Sequence, residues 1–164
     1  MNESPPVIRL ANGDGSLEIA LAGWQCPGKT SGDGAYCVNV DGKVRHDRGD
    51  WQFHGRFCRI SHLWCLADWL DAVAEGEKPK MCLIGGFLCH DLVFQVYGGS
   101  YNPNEYEEEF SPLTPGIFRM TFGGNTHPPW SSNEWGYMDF PIAGSDLRAM
   151  AAELREQLRI LQPL

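Results

Sequence analysis

The sequence predicts an α+β domain: a mostly antiparallel β-sheet or curled sandwich of about eight strands, with two packed amphipathic helices. Three observations predict it. Short β-like runs are separated by Asn-Gly and Asp-Gly turn dipeptides. The segment DWQFHGRFCRI alternates apolar and polar residues with a period of two over most of its length. The apolar spacing then becomes helical, once in the middle of the chain and again near its end. The length of 164 residues points to a single domain over 1–164. A chain of this size buries roughly 70% of its unfolded surface, enough for a core without staples.

Val7–Leu10 and Leu17–Ala22 read as strands joined through Asn12-Gly13-Asp14-Gly15. A loop from Pro27-Gly28 to Asp33-Gly34 precedes a strand over Ala35–Val40, and Asp41-Gly42 reads as the next hairpin turn, with a return strand from Val44. In Asp50–Ile60, Trp51, Phe53, Gly55, Phe57 and Arg59 share one face; Gln52, His54, Arg56 and Cys58 share the other. Ser61 is placed to cap a helix over His62–Glu75, closed by Gly76 and Pro79. Its stripe is Leu63, Leu66, Ala67, Leu70, Val73 and Ala74, widened by Trp64 and Trp69, with Asp68, Asp71 and Glu75 opposite.

Met81–Leu88 and Leu92–Tyr97 read as strands joined near His90-Asp91, the second ended by Gly98-Gly99. Ser100–Gly116 holds Pro103, Pro112 and Pro115, which exclude a continuous regular element, so this is a long loop or hairpin tip. Ile117–Phe122 and Trp135–Phe140 are the last strands, separated by the turn Gly123-Gly124-Asn125 and the irregular His127-Pro128-Pro129-Trp130. That Trp is either a peptide platform or, as favoured here, packing over a sheet edge where prolines stop pairing. Ser145 reads as the N-cap of a helix over Asp146–Leu161, with Leu147, Met150, Ala151, Leu154, Leu158 and Leu161 on one face and Pro163 beyond.

Composition narrows the function. Hydrophobic residues at 43% and aromatics at 12% argue against a disordered chain. Thirteen Lys and Arg against 21 Asp and Glu give −8, which opposes nucleic-acid binding and suits a basic protein partner attracted at long range. No run of about 18 apolar residues predicts a membrane span, and MNESPPVIRL has neither the basic nor the apolar region of a secretory signal. The cysteines Cys26, Cys37, Cys58, Cys65, Cys82 and Cys89 then read as reduced, mostly buried thiols of a cytoplasmic protein.

Candidate chemistry is sparse. Cys58-x3-His62-x2-Cys65 and Cys82…Cys89-His90 offer zinc-compatible ligand types without any CxxC pair, so buried structural cysteine is the preferred reading and no metal is assigned. Cys89-His90-Asp91 lines up catalytic residue types, but alternate strand residues point to opposite faces and adjacency is not triad geometry. G-x-S-x-G is absent, and neither Gly85-Gly86 nor Gly98-Gly99 precedes a helix start as a phosphate cradle does. No catalytic residue and no cofactor is assigned. Glu105, Glu107, Glu108 and Glu109, interleaved with Tyr101, Tyr106 and Phe110, form either a solvated acidic surface or an interface in which rings anchor and charges steer a basic partner.

The segment Leu66-Ala67-Asp68-Trp69-Leu70-Asp71-Ala72-Val73-Ala74-Glu75-Gly76, then Pro128-Pro129-Trp130, Asp139-Phe140-Pro141, Ser145-Asp146-Leu147-Arg148 and Leu154-Arg155-Glu156-Gln157-Leu158, resembles the bacterial WapI-type immunity proteins. The resemblance covers Asp50 to the end, more loosely the first 45 residues, and its motifs are structural ones. It implies a cytosolic, non-enzymatic antidote that binds the C-terminal domain of a polymorphic toxin, often a nuclease. It carries over no catalytic residue. Two functions stay open at this level. One is toxin neutralisation, with Tyr101, Glu105, Tyr106, Glu107, Glu108, Glu109 and Phe110 as the partner-binding residues. The other is a small metal- or thiol-dependent hydrolase using Cys58/His62/Cys65 or Cys89/His90.

Overall fold

A computed structural model describes residues 6–24, 26–28, 36–77, 82–86, 89–98, 111–131 and 135–161; at 56–58, 82–86, 89–91, 125 and 135 only the backbone is described. Strands β1 (Pro6–Ala11), β2 (Gly15–Trp24), β3 (Cys37–His46) and β4 (Trp51–Arg59) form one antiparallel meander. Helix α1 (Ile60–Ala74) leads to a second, made of β5 (Cys82–Gly86), β6 (Cys89–Gly98), β7 (Gly116–Gly123) and β8 (Trp135–Ile142). Helix α2 (Gly144–Leu161) closes the order. The α+β class and the antiparallel pairing match the prediction. The layering does not: there is no single sheet and no two-layer sandwich. Both meanders bury one face in a common core that the two helices also fill.

Period-two alternation builds these faces. Leu17, Ile19 and Leu21 of β2 and Val38, Val40 and Val44 of β3 point inward, as do Trp51 and Phe53 of β4. From the second meander come Leu92, Phe94 and Val96, then Phe118, Met120 and Phe122, then Met138, Phe140 and Ile142. The faces meet where Phe122 stands edge-on to Trp51, with ring centroids 5.4 Å apart, and to Phe53 at 6.1 Å. The Trp51 indole N–H donates to the Thr126 carbonyl at 3.1 Å, so this buried ring leaves no polar group unpaired.

The first hairpin is built as the sequence predicts. Asn12 Oδ1 accepts from the N–H groups of Asp14 (2.7 Å) and Gly15 (2.8 Å), an Asx-type turn. The other Asn12 amide atom ties the two meanders together: Nδ2 donates to the Asp139 carbonyl at 2.6 Å.

Several local expectations are corrected. Asp41-Gly42 is not a turn; β3 runs through it, and the reversal lies at Asp47–Asp50, where Gly49 has φ +131°. Gly42 faces Phe53 in register, and a Cβ there would lie 1.9 Å from the Phe53 ring. The glycine therefore makes room for an aromatic ring inside a strand. The β5–β6 joint lies between Gly86 and Cys89, so His90-Asp91 is within β6. Ser61 does not cap α1: the residue before the helix is Arg59, with no side-chain cap, and the Ile60 N–H is satisfied by the Tyr36 carbonyl at 2.8 Å. Tyr36 adopts φ +61° there, a left-handed conformation rare outside glycine. Ser145 likewise lies inside α2. The N–H of Ala143, just before the helix, donates to Asp146 Oδ2 at 2.8 Å instead.

The helices pack antiparallel through Leu63, Leu66, Ala67, Leu70, Val73 and Ala74 of α1 against Leu147, Met150, Ala151, Leu154 and Leu158 of α2. Gly76, at φ +91°, ends α1 in a Schellman arrangement, with the Glu77 N–H on Ala72 O and the Gly76 N–H on Val73 O, both 3.0 Å. The last turn of α1 holds no basic residue, so α2 supplies one: Arg148 donates to the Ala74 carbonyl at 3.2 Å.

Two stability measurements follow from this packing. Leu154 is fully buried, and Leu154→Ala will lower the unfolding free energy by about 2–5 kcal/mol through the cavity it leaves; an unchanged urea midpoint would show that it is not core. Gly42→Ala will force the Phe53 ring aside and cost about 1–3 kcal/mol, read from the same titration.

Candidate functional site

The outward faces of the two meanders differ in chemistry. On the first, β1–β4 present Arg9, Glu18, Lys43, Gln52, Asp41 and His54 in cross-strand rows. Arg9 pairs with Glu18 at 3.4 Å and His54 with Asp41, all of them well exposed. Exposed pairs of this kind contribute little to stability.

On the second, the row Gln95–Arg119–Asp139 crosses β6, β7 and β8, with Tyr97, Ile117 and Pro141 in the next row and Val93, Thr121 and Tyr137 on the other side. Arg119 grips Asp139 with two parallel bonds, Nε to Oδ1 and Nη2 to Oδ2, each 2.7 Å. Its guanidinium lies 4.2 Å from the centroid of the Tyr137 ring and 5.6 Å from that of Tyr97. The Arg119 side chain is only 10% exposed while Tyr137 is 57% exposed. The result is a charge-neutral, preorganised patch with an accessible aromatic ring. Tyr and Arg held in this way are the residue types that dominate binding energy at protein interfaces.

The seven residues assigned to partner binding from sequence, Tyr101, Glu105, Tyr106, Glu107, Glu108, Glu109 and Phe110, lie outside the described residues. What is described is where their segment departs and returns. β6 ends at Gly98, which pairs with Gly116 at the start of β7, and Gly116 pairs in turn with Ile142 of β8. Ahead of β7, Pro112 packs at the junction of the helices, 3.3 Å from the position a Cβ would take on Gly76 and 3.5 Å from that on Gly144.

The cysteines divide. Cys37 is buried, Cys26 is half-buried and Cys65 is exposed, all with free thiols. Cys65 therefore departs from the expected buried position. His62 is exposed beside it on α1. The side chains of Cys58, Cys82, Cys89 and His90 lie outside the described residues. Among the described residues no group of three or more His, Cys, Asp or Glu side chains could hold a metal, and no helix is long and apolar enough to cross a membrane.

In His127-Pro128-Pro129-Trp130 the tryptophan packs against neighbouring rings, the reading favoured from the sequence. Trp130 stacks on His46 with centroids 5.0 Å apart, meets Trp51 edge-on at 5.8 Å and takes the Arg48 guanidinium at 5.0 Å. Arg155 is a second element that sequence reading left unassigned: from α2 it bridges Asp71 and Asp68, the latter at 2.8 Å. These hydrogen bonds, to Asp68 and then to Asp71, raise its pKa above the usual arginine value and keep it charged. Neither this bridge nor the Arg119–Asp139 fork has a local signal in the sequence. The partners are 20 residues apart at the closest, and only register or helix packing joins them.

Cys65 in the folded protein will react with Ellman's reagent promptly, and Cys37 only on unfolding; a Cys37→Ser variant identifies the slow thiol. Asp139→Asn will remove the countercharge of a nearly buried guanidinium and destabilise by about 2–4 kcal/mol, whereas the double change Arg119→Met with Asp139→Leu will recover most of that loss in thermal unfolding.

Comparison with known proteins gives one family. Residues 8–162 match the family model described as the immunity protein WapI-like family. No curated protein and no solved structure matches the chain.

Proposed function

We propose that this chain, which belongs to the immunity protein WapI-like family, binds the C-terminal domain of a cognate polymorphic toxin in the bacterial cytoplasm and neutralises it without catalysis. The match over residues 8–162 carries this reading. The charge of −8 supports a basic partner, such as a nuclease that must itself attract nucleic acid. The Tyr137/Arg119/Asp139 patch supports recognition by a preformed protein surface. Hydrolase chemistry has less behind it: His62 and Cys65 are exposed on a helix, and among the described residues no metal-holding group accompanies them.

In this reading Tyr101–Phe110 forms part of the interface. The segment carries Glu105, Glu107, Glu108 and Glu109 with Tyr101, Tyr106 and Phe110 and no Lys or Arg. The carboxylates accelerate encounter with a basic domain, and the rings hold the complex once formed.

Titration against the toxin domain encoded beside this gene tests it. Changing the four glutamates to glutamine will slow kon and flatten its dependence on salt. Tyr106→Ala will mainly raise koff, by an amount worth about 1–2 kcal/mol. Unchanged rates in both would remove the segment from the interface. Absence of a neighbouring toxin gene together with absence of any co-purifying partner would remove the immunity reading itself.

A further inference from the structure

We infer that the cleft between β1, the end of β8 and α2 receives an extended basic segment of the toxin domain, which adds as a strand to the edge of β1. The inference rests on the immunity reading above and names where and how the partner docks.

The first observation is an open edge. Among the described residues β1 ends its sheet: β2 lies on one side and no strand is paired on the other. Alternate N–H and C=O groups over Val7–Ala11 therefore face away from β2, a template for another chain. The edge strand across the cleft is not equivalent, because β8 carries Pro141, which has no N–H to offer.

A recess of suitable chemistry lies along that edge. The cleft has a volume of about 460 Å³. Leu10, Ile142 and Met150 give it an apolar wall, and Pro141 and Ala149 line it as well. Side chains of an added strand alternate, so every second one would enter this wall while the backbone bonds to β1.

Charge then selects the occupant. Asp146 and Glu153, two helical turns apart on α2, are the acidic lining residues, and Arg9 is the cationic one. Arg9 is already paired with Glu18 on β2 at 3.4 Å. Among the described residues Asp146 accepts the Ala143 N–H, and Glu153 accepts from the neutral Gln157 amide at 3.1 Å. Among the described residues no cation pairs with either carboxylate, so the cleft favours Lys or Arg on the incoming segment.

The cleft also borders the Arg119–Asp139 surface: Pro141, which lines it, shares a cross-strand row with Ile117 and Tyr97. Ile142 lines it and stands in the same cross-strand row as Gly116 and Gly98, between which the Tyr101–Phe110 segment is connected.

The test uses the whole chain and the toxin domain encoded beside its gene. Ala149→Trp fills the cleft from an exposed helix position, Glu153→Lys reverses its charge, and Glu156→Lys makes the same charge change at an exposed site that does not line it. Calorimetric titration should show Kd raised about tenfold or more by A149W and by E153K, and less than about threefold by E156K, with thermal midpoints of E153K and E156K alike. Amide exchange over Val7–Ala11 should slow on complex formation. If A149W fails to fold, E153K against E156K and the exchange measurement still decide. A wild-type chain that binds the toxin domain while E153K binds as tightly as E156K, or while β1 exchange stays unchanged, overturns the cleft assignment and leaves the immunity reading standing. A wild-type chain that does not bind the domain overturns both. A dimer of the chain alone that A149W dissociates would give the cleft to a second copy and overturn the proposal.

Discussion

Two β-meanders that exchange no ladder hydrogen bonds with each other have to be held by side chains, and this constraint shapes the described structure. The joint is an aromatic contact, Trp51 and Phe53 against Phe122, with one buried hydrogen bond from Trp51 to Thr126 and one from Asn12 to Asp139 at another point. Apolar burial is non-directional, so it can join sheets whose strands do not align. The two polar bonds are directional and set how the sheets meet. The helices extend the same core, with α1 and α2 contributing alternate turns of Leu, Val and Ala to it.

Charge is arranged on top of that core by the same economy of partners. Among the described residues the least exposed guanidiniums, Arg119 and Arg155, are each bound to carboxylates, which compensates their charge. Arg148 covers a helix C-terminus. Other acidic residues stand exposed just past the end of α1, at Glu75 and Glu77, and beside the β1–β8 cleft, at Asp146 and Glu153. Acidity placed in this way attracts basic groups at long range, whereas short-range contacts set specificity.

Membership of an immunity-protein family directs attention to surfaces that could bind. The Arg119–Asp139 fork between Tyr97 and Tyr137 needs no rearrangement to present a ring to a partner, and preorganisation of that sort lowers the entropic cost of association. The open edge of β1 would supply a complementary mode, in which main-chain bonds give affinity and alternate side chains give selectivity.

The sequence by itself determined the α+β class, the Asn12–Gly15 hairpin, the inward Trp51, Phe53 and Gly55 of β4, both amphipathic stripes and the family, because each is written in local periodicity or in a contiguous motif; Arg59, expected on that same face, is exposed, because the β3–β4 register shifts between Val38 and Val40. It misplaced the β3–β4 turn because Asp41-Gly42 has turn chemistry, whereas Gly42 is small to admit the Phe53 ring from the neighbouring strand. It misassigned Ser61 and Ser145 as caps because a capping side chain is a local signal, while Ile60 draws its acceptor from Tyr36, remote in sequence, and α2 uses Asp146 from within its own first turn. The splitting of the strands into two sheets, the Arg119–Asp139 fork, the Arg155 bridge and the β1–β8 cleft were decided only by the tertiary structure. Each depends on register or packing between residues far apart in the chain, and periodicity specifies which face is buried but not what that face meets.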